Sequence, residues 1–168
     1  MFAPALASGS SHRVPAGAGY SLLLLVHVAS AVVGFGALCV TGIQAVRARR
    51  GPTGSHADAA RRYFRPGTNW VTRALYLVPL SGFGLLVASG GAFDVSDAFV
   101  LSGLGMWLAA TATAEALVWP AERTIQRVVA RDWRVGEAFA RDCARVIGAT
   151  WFLASVFVAA VVVMVSKP

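Results

Sequence analysis

The sequence predicts an all-α polytopic membrane protein, a bundle of four transmembrane helices with a short basic helical segment between helices three and four. Three observations predict it. Of the 168 residues, 57% are hydrophobic, and mean hydropathy is +0.63. Only 14% are charged, against about 25% in an ordinary soluble domain. Those charges lie between four long apolar runs, as in a membrane chain and unlike a soluble domain with a large core.

Residues 1–19, MFAPALASGSSHRVPAGAG, are small and polar, with Pro4, Pro15 and several glycines. They read as a disordered external tail. They do not read as a signal peptide, because a charged start is not followed at once by a short apolar core and a small-residue cleavage site. Residues 20–168 form one domain with spans at about 20–46, 71–88, 98–119 and 146–165. About 20 helical residues cross a hydrocarbon core of roughly 30 Å. Pro79 and the internal glycines would be costly in a soluble helix but are tolerated in membrane helices. A β-barrel needs alternating strands, and the runs Leu22–Val26 and Val161–Val165 do not alternate.

Basic residues give the sidedness. Net charge is +7, and 14 of the 15 basic residues are arginine, Lys167 being the exception. Loop 47–72 carries Arg47, Arg49, Arg50, Arg61, Arg62 and Arg65, with Arg73 just beyond it. Loop 120–145 carries Arg123, Arg127, Arg131, Arg134, Arg141 and Arg145. Loop 89–97 holds Asp94 and Asp97 and no basic residue. The positive-inside rule puts both arginine loops in the cytoplasm and both termini outside. An arginine-rich chain with abundant Ala, Val and Gly suggests GC-rich bacterial coding, hence the bacterial inner membrane. The basic charge therefore points to the lipid bilayer, with affinity for anionic headgroups, and not to nucleic acid.

Loop 120–145 is too long for a turn. Ile125, Val128 and Val129 share a helical face, and Arg123, Arg127 and Arg131 follow at i, i+4 spacing. Pro120 suits a first turn, and Gly136 is expected to break the segment. Either a basic hairpin at the headgroups or a plain extension of spans three and four fits. Trp119, Trp133 and Trp151 are expected near the interface. The GFG at Gly34–Gly36 recurs at Gly82–Gly84, and such glycines, with the Ser30–Gly34 step, serve close helix approach. Cys39 and Cys143 have no metal or redox spacing and are expected to be free thiols.

Only His27, Arg73 and Glu115 ionise near neutrality or carry charge within the spans, where such groups face the bundle interior. Glu115 lies about 6 Å from the end of span three, and Arg73 opens span two from the same side. A structural ion pair between them offsets part of the burial cost of both. A proton or ion relay through Glu115 would need further protonatable partners, and Thr111 and Thr113 are the nearby polar residues on its helix. His27 lies near the opposite face, more than about 10 Å away in depth. It is either a metal or haem ligand or an interhelical hydrogen-bonding residue. Gly34, seven residues on, shares its face and would let either a flat ring or another helix come close.

The stretch LLLLVHVASAVVGFGAL followed by an arginine-rich loop resembles a bacterial family of predicted four-helix integral membrane proteins of unknown function. It is distantly similar to the copper-resistance protein D and HemJ-like membrane group. That resemblance implies haem b as cofactor with His27 as axial ligand. It departs where Val33-Gly34-Phe35-Gly36 replaces a Trp-Gly-Gly element. His12 and His56 lie outside the bilayer on opposite sides, so a second ligand is Met106 or a partner chain. Met1, Met106 and Met164 do not cluster in sequence as a soft-metal path requires. Nucleotide loops, Ser/His/Asp sets and HExxH are absent, and no catalytic residue is assigned. The leading expectation is an accessory or scaffold component of a homo-oligomer or larger membrane complex. A haem-binding oxidoreductase component using His27 comes second, and a small transporter using Glu115 third.

Overall fold

The computed structural model describes residues 17–166. Most of the expected tail, with His12 and Arg13, and also Lys167, falls outside them. Helix α1 runs Ala18–Arg49, starting two residues before the span start expected at 20. A nine-residue helix α2, Ser55–Tyr63, follows. Span two opens as a 3-10 turn, Val71–Tyr76, and continues as α3, Leu77–Ala88. Helix α4, Ala98–Thr113, passes through a π turn at Ala114–Val118 into α5, Trp119–Arg131. Helix α6 is Glu137–Ser166. Among the described residues four helical stretches, Ala18–Arg49, Val71–Ala88, Ala98–Arg131 and Glu137–Ser166, are long and apolar enough to span a membrane. No strand occurs among the described residues.

The basic segment between spans three and four is α5, and it extends α4 instead of folding back as a hairpin. The connection to α6 shrinks to residues 132–136, ending at Gly136. Pro120 has no N–H for the carbonyl four residues back, and the π turn adjoins it. A second difference is α2, inside the loop 47–72. Its buried residues are two alanines, Ala57 and Ala60, too small and too few to register as an apolar stripe.

Helix α1 is the centre of the bundle. It packs on α6, on α3 with its 3-10 lead-in, and on α2, while α6 also holds α4 and α5. Two glycines set how close the helices come. At Gly34 an added Cβ would lie 2.8 Å from the backbone nitrogen of Leu75. At Gly42 it would overlap the hydroxyl of Thr150 on α6. Gly34 thus seats span two and leaves no room for a flat ring there.

The packing is uneven along the bundle. The largest fully buried side chains, including Leu38, Leu75, Val118, Ile125, Val146 and Leu153, lie in the half nearer the arginines. In the opposite half α3 and α4 hardly touch, although a short loop joins them.

The tryptophans divide. Trp151 is exposed, and Trp119 and Trp133 are buried. Trp119 donates its indole N–H to Thr72 Oγ1 at 3.2 Å and lies 3.3 Å beneath the Arg73 guanidinium. Trp133 donates to the Ala48 carbonyl at the end of α1 and carries Arg61 over its ring at 5.3 Å. Each thus has a local partner for its polar handle and a cation over its ring. Cys39 and Cys143 are free thiols.

Candidate functional site

The looser half of the bundle holds a cavity of about 500 Å³ between α1, α3, α4 and α6, open on one side toward the surrounding bilayer. Its wall is almost wholly apolar, with Phe35, Phe83, Trp107 and Phe157 among its aromatic residues. On α4 the lining positions are Phe99, Val100, Gly103, Leu104, Met106 and Trp107, and on α3 they include Val78, Pro79, Gly82 and Phe83. The two glycines admit side chains from other helices, Met164 at Gly103 and His27 at Gly82.

His27 is the imidazole in this wall. Its Nδ1 lies 2.9 Å from the Val78 carbonyl oxygen and 3.2 Å from Ser81 Oγ. A carbonyl only accepts, so Nδ1 is the protonated nitrogen. The Ser81 hydroxyl donates to the Leu77 carbonyl at 2.6 Å and so accepts from His27. In a neutral ring this leaves Nε2 with a bare lone pair. Among the described residues, His27 hydrogen-bonds through Nδ1 alone. Its Cε1 rests 3.3 Å from where a Cβ on Gly82 would stand, so that glycine admits the ring.

Met106 lines the same cavity as His27, and so does Met164. The two thioethers are far apart in sequence, yet the crossing of α4 and α6 brings both to one wall. Trp107, beside Met106, donates its indole N–H to the Leu75 carbonyl at 2.9 Å. Pro79, four residues after Leu75, has no N–H for that carbonyl, so the indole supplies a donor where the proline removed one.

At the arginine end, Arg73 Nη1 stands 3.7 Å from Glu115 Oε1. The Tyr76 hydroxyl donates to the same oxygen. Glu115 sits in the π turn and its side chain is 53% exposed, against 18% for Arg73. The structure therefore brings Arg73 and Glu115 together, adds Tyr76, and holds all three apart from His27. Thr113 donates to its own helix at Ala109, while Thr111 Oγ1 is buried without a partner among the described residues.

A polar chain next to this pair escaped the sequence reading. Thr41 on α1 bonds the Tyr63 hydroxyl at 2.5 Å, and Asn69 donates to that hydroxyl at 3.0 Å and to Glu122 at 3.5 Å. Burial pushes the Tyr63 hydroxyl above its ordinary range, with the Thr41 and Asn69 bonds opposing. Glu122 and Gln126 are buried on α5. A signal for Glu122 existed, since it lies three residues before Ile125 and so on the apolar face. The cleft beside it measures about 10 Å³, room for one water at most. Among the described residues no group of three His, Cys, Asp or Glu side chains could hold a metal ion.

No curated protein and no solved structure matches the chain. The family described as "Predicted integral membrane protein (DUF2269)" matches residues 21–168, which take in His27, the arginine-end network and all four spans but for the first residues of α1. The chain belongs to that family of integral membrane proteins, DUF2269.

Proposed function

We propose that this protein is an accessory component of the bacterial inner membrane that holds a lipid-soluble small molecule in the cavity beside His27. The supporting observation is the pairing of an apolar cavity of about 500 Å³ with one imidazole whose free nitrogen can only accept. Ligand pockets of roughly 300–1,000 Å³ share this design of apolar walls with a few placed polar groups. In the proposed orientation the arginine end faces the cytoplasm and both termini face outward. The cavity then lies in the outer half of the bilayer and the close-packed half anchors it from within.

Haem b is the second reading, favoured by one observation. A metal-binding histidine characteristically donates its other ring N–H to a backbone carbonyl, as His27 does to Val78. His27 Nε2 would hold the iron, and Met106 offers a thioether from the same cavity. The group would supply one-electron chemistry. Among the described residues the cavity lining holds no arginine or lysine for two propionates, so haem ranks behind an uncharged ligand.

The experiment is organic extraction and an optical spectrum of the purified protein, beside Ala160→Phe, which adds bulk to the cavity wall. A colourless preparation that yields a stoichiometric lipid-soluble molecule, lost in Ala160→Phe, supports the first reading. A Soret band lost in His27→Ala selects haem. An empty, colourless preparation from which added apolar probes are also excluded overturns both.

A further inference from the structure

We infer that the cavity selects an aromatic hydroxyl of the hydroquinone class over the corresponding quinone, and this rests on the ligand-cavity reading above. The chemistry follows from which nitrogen of His27 is committed. Val78 O can only accept, so the proton is pinned on Nδ1, and Ser81 Oγ takes a second bond from the same atom. The nitrogen left for a ligand is a pure acceptor. A hydroquinone presents an O–H donor and completes that nitrogen. A quinone presents a carbonyl oxygen, which sets lone pair against lone pair in an apolar space. Shifting the proton to Nε2 would favour the quinone, but it would strip the Val78 carbonyl of its imidazole donor.

The rest of the wall fits such a ring. Phe35, Phe83, Trp107 and Phe157 supply faces and edges for an aromatic disc. Tyr20 and Leu24 on α1 and Val161 and Val165 on α6 continue the wall, suited to an alkyl or isoprenoid tail. Among the described residues no charged side chain lines the cavity, which disfavours phosphate- or carboxylate-headed amphiphiles. Selection here is by binding alone; no electron moves in the proposal. A site built to bond a ligand hydroxyl discriminates strongly against an isostere without one, because its own polar atom is left unpaired. One neutral hydrogen bond is worth roughly tenfold in binding.

The test is competitive retention under anaerobic conditions. Immobilised full-length protein in detergent is loaded with an equimolar mixture of decylhydroquinone, its dimethyl ether and decylbenzoquinone. It is then washed, extracted and quantified against protein-free micelles. The expected result is about tenfold preference for the hydroquinone over both analogues, collapsing to parity in His27→Leu. The ether comparison needs only the wild-type protein, so poor folding of the variant does not spoil it. Equal retention of all three by wild type overturns the selectivity while leaving the cavity reading in place. Retention of none above the blank overturns both.

Discussion

Replacing Gly34 by alanine puts a methyl carbon 2.8 Å from the Leu75 backbone nitrogen and 3.1 Å from its Cα. Both neighbours are main chain, so no side chain can swing away, and α1 must part from the start of span two. Gly36, on the same helix, is the control, because an alanine Cβ there meets nothing within 4 Å. Overpacking a tight contact costs about 1–3 kcal/mol. At Gly36 the substitution only removes the glycine penalty, which is at most about 1 kcal/mol in a helix interior. The two variants are therefore expected to fall on opposite sides of wild type, separated by about 1–4 kcal/mol. Reversible denaturation in mixed micelles, followed by helix signal, reads the difference. Parting α1 from span two also disturbs the His27–Val78 bond, so Gly34→Ala should reduce ligand retention and Gly36→Ala should not. If the two denature alike, the close approach of α1 to Leu75 is wrong and the position of His27 against α3 loses its support.

Arg73→Met should cost more than Glu115→Gln in the same denaturation assay. Arg73 loses both its carboxylate and its seat over Trp119, the latter worth about 0.5–2 kcal/mol, whereas half-exposed Glu115 gains little from its partner. Equal losses would mean that the ion pair, not the indole, holds Arg73. Tyr63→Phe leaves Thr41 and Asn69 short of a partner and should destabilise by about 1–3 kcal/mol, while a silent change would show that water replaces the hydroxyl. In loop 89–97 the Ser96 N–H and hydroxyl hold the Asp94 carboxyl below its ordinary range. A depressed carboxyl stabilises above its unfolded pKa of about 3.9 and loses that contribution as pH falls through its lower folded value. The advantage of wild type over Ser96→Ala should accordingly be present at pH 6 and shrink below about pH 4, and an advantage unchanged at low pH would contradict the contact.

Runs of apolar residues made the four spans legible, because length and hydropathy are local properties. Arg73 and Glu115 were also legible as a pair, since equal depth at one end of the bundle narrows the choice of partner. The extent of α5 was less so. Its periodicity was visible, but only the π turn and the short connection 132–136 decide that it extends α4. The buried partners of Trp119 and Trp133, Thr72 and Ala48, were not legible, because each comes from another element of the fold. The cavity was out of reach. It depends on α1, α3, α4 and α6 surrounding one space, and no local pattern announces that Met106 and Met164 will share a wall with His27. The tautomer was equally hidden, because Val78 and Ser81 become partners only when α1 lies against α3.

The most direct measurement is nitrogen-15 NMR of histidine-labelled protein in micelles at neutral pH, with His27 assigned by its loss in His27→Leu. The expected spectrum shows a proton on Nδ1 and a bare Nε2 whose shift moves when decylhydroquinone is added. A proton on Nε2, or an Nε2 signal indifferent to every apolar probe, would contradict the picture of an acceptor facing a ligand cavity.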